Sequence, residues 1–306
     1  MFTLAIHGGA GTIERSLMTP ELEAAYLKGL SLALKAGRKV LEAGGTSLDA
    51  VVASVIELEN YPMFNAGKGA VYNHIGSHEM DAAVMEGKTL MAGAACGVTG
   101  VKNPILLAKG IMQQSEHVMM ACQGAEAFAK SIGLEFESAA YFDTEHRYKQ
   151  WLELKDGDQF TLDHSKSEKK MGTVGAVALD KDGNLAAATS TGGMTNKKFG
   201  RIGDSPVIGA GTYANNETCA ISCTGHGELF LRSVVAYDIS CLMAYKGLTL
   251  KEACDKVVMD KLVKIGGEGG LIALDTKGNI ELPFNSSGMY RASVDAQGNE
   301  YFGIYR

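Results

Sequence analysis

Apolar positions along this chain recur with two periods, and each change of period marks an element. Residues 2–6 form a short apolar run ending in His7-Gly8-Gly9-Ala10-Gly11, which predicts a central buried strand feeding a tight glycine-rich turn. Thr19-Pro20-Glu21 supplies an N-cap, a proline at the first helical position and an acidic first turn, so a helix is predicted to run to about Gly44. A second helix starts at Thr46 or Ser47, with Asp49 placed to close a capping box and Val51, Val52, Val55 and Ile56 on one face. Small and apolar residues dominate 81–98, the pattern of strands covered on both faces. Further helices are predicted from Asn103-Pro104 and over about 124–131.

The pattern then breaks. Residues 142–170 are charged, poor in aliphatics and without clear periodicity, and their second half, about 156–172, reads as a flexible linker. Directly after it, two apolar runs joined by Asp180-Lys181-Asp182-Gly183 predict a β-hairpin. A loose segment that ends abruptly at a buried strand is an odd domain boundary, because the strand belongs to the same core as the N-terminal half. Beyond it come an apolar run at 219–224, helices over about 228–245 and 249–263, and closing strands near 270–275 and 301–304. Asp275-Thr276-Lys277-Gly278 forms a second hairpin turn, and no repeat of fixed period is present.

Composition narrows the class. The 306 residues are 46% hydrophobic and 21% charged, as in a soluble globular protein with a sizeable core. A net charge of −6 with scattered lysines and arginines gives no basic face for nucleic acid. Cys96, Cys122, Cys219, Cys223, Cys241 and Cys254 form no C-x-x-C pair and read as buried free thiols. With no secretory leader pattern and no apolar stretch of membrane length, a reducing, cytoplasmic setting is expected, without a membrane partner.

The candidate chemistry lies at the end of the linker. Cleavage of the Gly172–Thr173 bond would put a hydroxyl and a free α-amine on one residue. An alcohol needs a base to become a nucleophile, and an α-amine of pKa about 7.7–8.0 serves at neutral pH. Threonine's branched side chain has few rotamers, so the hydroxyl is held in place. Gly172 puts no side chain in the way of attack on its own carbonyl. A Gly-Thr pair at the start of a strand is common, however, and more often means only a strand start.

The flanking motifs change that balance. His7-Gly8-Gly9-Ala10-Gly11, Phe64-Asn65-Ala66-Gly67, the run from Gly172-Thr173-Val174-Gly175 to Ala178, Thr189-Ser190-Thr191-Gly192-Gly193, Gly200-Arg201-Ile202-Gly203-Asp204-Ser205-Pro206 and Thr224-Gly225-His226-Gly227-Glu228 follow one another in order. Together they resemble the plant-type L-asparaginase and isoaspartyl aminopeptidase family of N-terminal-nucleophile hydrolases, over nearly the whole chain except the linker. The resemblance implies a four-layer αββα sandwich of two stacked antiparallel sheets between helical layers. It also implies self-cleavage into 1–172 and 173–306, which stay one folded unit, and a dimer of such cleaved pairs. Thr173 would be the nucleophile, Thr191 would orient its hydroxyl, and Thr224 with Asn65 would bind the oxyanion. Arg201 and Asp204 would hold the substrate's α-carboxylate and α-ammonium, a division of labour their charges suit. Ile202, Gly203, Gly225 and Gly227 would contribute backbone, and His226 would line the pocket without a catalytic part. The main-chain carbonyls of Leu58, Glu59, Tyr61, Phe64, Ala66 and Lys68 would wrap a structural sodium ion, and catalysis would need no cofactor.

The implied reaction is hydrolysis of β-aspartyl dipeptides and L-asparagine through a covalent β-aspartyl ester on Thr173. Alternatives are a glycosylasparaginase, a threonine endopeptidase of the taspase kind and a catalytically silent protein that binds aspartyl compounds. Glycosylasparaginases usually carry His-Asp before the nucleophile, where Met171-Gly172 stands here, and a zwitterion clamp points to small substrates rather than to an endopeptidase. The glycine-rich loops lack the G-x-S-x-G, P-loop and dinucleotide spacings. His74, His78 and Glu79 are not in zincin order and read as solvent-exposed loop residues.

Overall fold

The computed structural model describes residues 1–155 and 172–306, so the expected linker lies outside the described residues except for Gly172. The first strand, β1 (Thr3–Gly11), is followed by helices α1 (Pro20–Glu42) and α2 (Ser47–Asn60). Thr19 caps α1 by accepting from the Leu22 amide at 3.2 Å, and Thr46 caps α2 by accepting from Asp49 at 3.1 Å. The Asp49 carboxylate accepts a hydrogen bond from the Thr46 hydroxyl at 2.8 Å instead of closing a full capping box. Next come β2 (Met80–Glu86), β3 (Ala92–Val98), α3 (Pro104–Gln114), β4 (Met119–Ala121), α4 (Cys122–Ser131), α5 (Ala139–Phe142) and α6 (Glu145–Lys155). The hairpin β5 (Val174–Leu179) and β6 (Leu185–Thr191) forms as predicted, and β7 (Thr212–Ala214) and β8 (Cys219–Gly225) follow. The chain closes with α7 (Gly227–Ser233), α8 (Val235–Lys246), α9 (Leu250–Asp255), β9 (Gly269–Asp275), β10 (Ile280–Glu281), β11 (Gly288–Val294) and β12 (Glu300–Tyr305).

Eight strands form one sheet in the order β12-β11-β1-β5-β6-β2-β3-β4, and four form a second, β10-β9-β8-β7. Side chains alternate between the faces of each strand, so residue parity decides the layer. Leu4 and Ile6 of β1, with Val174, Ala176 and Ala178 of β5, pack against α1, α2 and α3. Ala5, Val177, Leu179, Leu185 and Ala187 face the second sheet, which α8 and α9 cover from the far side. The result is the expected αββα order. The larger sheet departs from pure antiparallel pairing at one edge, where β3 and β4 run parallel.

Four local expectations are corrected. The glycines after Ile6 do not form a turn but continue β1 to Gly11, because β11 pairs along that stretch. The charged segment is helical over α5 and α6, where Trp151 and Arg147 are buried. The helix over 228–245 is broken at Val234, which takes a left-handed φ of 48°. The break turns α8 so that the amides of Ala236 and Tyr237 reach the carbonyls of Ala210 and Gly209. Among the free cysteines, Cys122 is exposed and Cys241 half-buried, whereas the other four are buried. Among the described residues, no helix is long and apolar enough to cross a membrane.

Candidate active site

Strand register assembles the site. Val174 pairs with Ser190 in the β5–β6 hairpin, which sets Thr173 opposite Thr191. Both have the parity of the face toward the second sheet, and Thr224 of β8, two residues from Ser222, faces back toward them from that sheet. Behind them a polar seam joins the sheets. His7 Nε2 lies 2.9 Å from Ser222 Oγ, Ser222 lies 2.7 Å from Thr189 Oγ1, and Thr212 donates to Thr189 at 2.6 Å. Burial pushes the His7 imidazole down to about 3, against a smaller pull from the Thr173 main chain, so it is neutral at physiological pH.

The buried Thr173 hydroxyl donates to Thr191 Oγ1 at 3.2 Å. Thr191 in turn accepts from the Gly193 amide at 3.0 Å and directs its own hydroxyl toward the Gly172 carbonyl at 3.4 Å. A line of hydroxyls therefore connects Thr173 to the carbonyl of the Gly172–Thr173 bond. Asn65 reaches the same turn from the other half of the chain. Its Nδ2 donates to Gly193 O at 2.7 Å, and its Oδ1 accepts from Val71 N at 3.0 Å. Thr224 Oγ1 accepts from the Ala10 amide at 3.1 Å. Each of these arrangements leaves a proton to give, the second on Asn65 Nδ2 and the hydroxyl proton of Thr224.

Thr173, Thr191 and Thr224 line one cavity with Gly172, Gly193, Met194, Arg201, Gly203, Asp204, Ser205 and Gly225. Arg201 is gripped in fork fashion by Glu228, Nε to Oε1 at 2.8 Å and Nη2 to Oε2 at 2.9 Å. Asp204 is 4% exposed and one of its oxygens has no hydrogen-bond partner. Burial pushes its carboxyl up to about 7, with the nearby Arg201 charge pulling the other way. A buried, unpaired carboxylate beside a guanidinium is well suited to an ammonium group. Gly227 makes the approach possible, since a Cβ there would lie 2.5 Å from Arg201 Nη2 and 3.0 Å from Asp204 Oδ1.

Not every expected contact lies on the cavity wall. Ile202 is 38% exposed and, like Asn65, His226 and Gly227, is not among the residues that line the cavity. His226 precedes α7, with Nε2 3.7 Å from Glu228 Oε2. Of the residues that matter here, the fork from Glu228 and the wall positions Met194 and Ser205 went unassigned in the sequence, although Glu228 and Ser205 sit inside quoted motifs.

The loop expected to wrap a cation gathers carbonyl oxygens. A Cβ on Gly69 would collide with Phe64 O and Pro62 O, and one on Gly67 with Glu59 O. The buried Arg147 of α6 donates to Gly69 O at 2.9 Å and lies 3.4 Å from Met63 O. The Glu59 side chain serves a different purpose. Its carboxylate accepts from the Ile105 amide at the start of α3, from Asn103 Nδ2 and from Ser190 Oγ. His74 and His78, set aside as ligands, bond Asn196 Oδ1 and the Ala70 carbonyl respectively, and His78 is buried rather than solvent-exposed because its ring packs on Tyr72.

Comparison with known proteins gives the family. The profile of the Asparaginase family matches residues 1–304. The chain belongs to the asparaginase family. The isoaspartyl peptidase of Salmonella typhimurium is 55% identical over 307 residues, covering 99% of this chain and 98% of that protein. The isoaspartyl peptidase of Escherichia coli is also 55% identical, over 99% of this chain and 96% of its own length. An isoaspartyl peptidase/L-asparaginase of Xenopus laevis is 40% identical over 99% and 94%. In this asparaginase-family chain, then, the cavity between the two sheets is the candidate active site.

Proposed function

We propose that the chain is a self-processing threonine amidohydrolase that cleaves β-aspartyl dipeptides and L-asparagine. The observation that carries this reading is the convergence, on one cavity, of Thr173 beside a carbonyl-directed Thr191 with an Arg201/Asp204 pair. In the intact chain the Thr173 nitrogen is an amide and cannot act as a base. Attack of its hydroxyl on the Gly172 carbonyl, polarised by Thr191, forms the C–O bond as the C–N bond breaks and the hydroxyl proton passes to the Thr173 nitrogen, giving an ester and a free amine; water then hydrolyses the ester to the Gly172 carboxylate and restores the hydroxyl. That amine takes the hydroxyl proton for attack on the side-chain carbonyl of a β-aspartyl substrate. Asn65 Nδ2 and the Thr224 hydroxyl are the donors to the oxyanion. The amine returns the proton to the departing amine, and water resolves the β-aspartyl ester with the same amine as base.

The clamp favours this reading over an endopeptidase, because a fixed guanidinium and carboxylate match the zwitterion of a free α-amino acid head. The names of the similar proteins favour it over a glycosylasparaginase or a silent binding protein. The carbonyls of Leu58, Glu59, Tyr61, Phe64, Ala66 and Lys68 are proposed to hold sodium, which would stiffen the loop carrying Asn65. The carbonyl crowding around Gly67 and Gly69 supports this. A dimer of cleaved pairs rests on the resemblance alone, and a cytoplasmic setting suits the free cysteines.

The purified protein is expected to run on a denaturing gel as pieces of 172 and 134 residues, the second being what remains of 306 after the cut. It should release aspartate from β-aspartyl dipeptides and from asparagine. A persistent full-length chain without either activity sinks the proposal.

A pH dependence follows from Asp204. With its carboxyl raised to about 7, the free enzyme is protonated there under mildly acid conditions and cannot pair with an ammonium. KM is expected to rise as pH falls through about 7, approaching tenfold per unit. The acid limb of kcat should instead report the Thr173 amine, whose ordinary pKa is about 7.7–8.0. Asp204→Asn should erase the first limb and keep the second, and pH profiles of the two constants measured separately decide it.

A further inference from the structure

We infer that Lys197 is a positioning residue for Thr191 and Asn65, acting through the turn at Gly192-Gly193; the inference rests on the amidohydrolase reading above. Lysine is seldom buried unless its charge is compensated, yet this side chain is only 1% exposed. Its ammonium donates to Glu79 O at 2.9 Å, with Glu79 Oε2 at 3.8 Å. Nearby, Asp81 is fully buried. One of its oxygens accepts from the Gly97 amide at 2.7 Å, and the other has no hydrogen-bond partner. Burial raises the Asp81 carboxyl, and the Lys197 charge is the largest influence opposing it. Two buried groups of opposite charge type thus lie within each other's field beside the site, without a direct hydrogen bond between them, and the reaction as derived above uses neither.

Their placement gives them a task. Asp81 pairs with Thr191 across β2 and β6. From the other side, the lysine stem lies under Gly193, where a Cβ would stand 3.0 Å from Nζ and 3.1 Å from Cδ, and Gly193 has a φ of +80° that side chains rarely adopt. The Gly193 amide donates to Thr191 Oγ1 and its carbonyl accepts from Asn65 Nδ2. One peptide turn therefore sets the orienting hydroxyl and the oxyanion donor together, and Lys197 is the side chain wedged beneath it. Misplacements near 1 Å of groups that orient a reaction cost up to about a hundredfold in rate. Arg201, held independently by Glu228, should bind substrate as before.

The test uses Lys197→Met, which keeps the length of the stem, and the pair Lys197→Met with Asp81→Asn. The pair leaves no buried charge unbalanced, so it carries the test where the single variant does not fold; because the Asp81 charge also raises the Asp204 carboxyl, all rates are compared at a pH well above 7, where Asp204 is ionised in every variant. Rates of β-aspartyl dipeptide hydrolysis are taken per cleaved molecule on a gel, beside wild type and a Thr173→Ala control. The expected result is a kcat lowered at least about tenfold, with KM within about twofold, in both variants, although the pair recovers thermal stability over the single change. If kcat returns to within twofold of wild type in the pair, Lys197 serves charge balance only and the inference is overturned. An inactive wild type, or an active Thr173→Ala, would instead overturn the amidohydrolase reading.

Discussion

Replacing Thr173 with Ala is expected to leave the full-length chain as a single band and to remove hydrolysis, a loss of about 10⁴-fold or more, since in the proposed reaction it deletes the covalent nucleophile and with it the entire acyl route. The side chain is buried beside Thr191 and contributes little to packing, so the fold should survive with a change near the usual 1 kcal/mol or so of a single substitution. Thr173→Ser is the informative companion. It keeps the hydroxyl and the future amine but loses the branched carbon that restricts the rotamer, so it should cut and turn over slowly. A time course on denaturing gels with aspartate release measures both variants. Undiminished cleavage in Thr173→Ala would remove Gly172–Thr173 as the processing bond.

Arg201→Ala should lower kcat/KM by about 10²–10³, which corresponds to about 3–4 kcal/mol, the range for removing one partner of a desolvated charge-assisted contact. Two losses combine. The substrate carboxylate loses its fork, and Asp204 loses the positive neighbour that holds its raised carboxyl down, so more of it is protonated at neutral pH. The acid limb in KM should therefore move upward in pH in this variant. Arg201→Lys restores charge but cannot form the two-point contact with Glu228 seen here, and recovery should be partial. Equal kcat/KM for Arg201→Ala and wild type would show that the clamp is not a clamp.

Much of the candidate site was legible because it is built from short motifs whose residue types suggest a chemistry. A threonine after glycine at a linker's end, a hairpin carrying Thr191 and an arginine three residues before an aspartate all stand in the primary structure. The Glu228 fork could have been suspected from its place in the motif ending at that residue. Other features left no such trace. Lys197 stands in Asn196-Lys197-Lys198, which reads as solvated, and it is buried only because β2 and the Gly193 turn close over it. Glu59, expected to offer a carbonyl, also caps α3 from a neighbouring helix, an interaction with a sequence separation of 46 residues. Arg147 lies in a charged, aperiodic stretch, and only the docking of α6 on the carbonyls of Gly69 and Met63 gives it a role.

By itself the sequence determined where helices begin, through Thr19, Thr46 and Thr249, because a cap depends on residues within one turn. It determined the hairpin that presents Thr173 and Thr191, because a four-residue turn between apolar runs is also a local matter. Tertiary structure alone decided that β1 runs on through its glycines, that the helix after Glu228 breaks at Val234, and that Thr224 of one sheet comes to face Thr173 of the other. Each of these rests on partners far along the chain. Strand pairing, burial of charge and the meeting of two sheets are set by neighbours in space, and those exist only once the layers have packed.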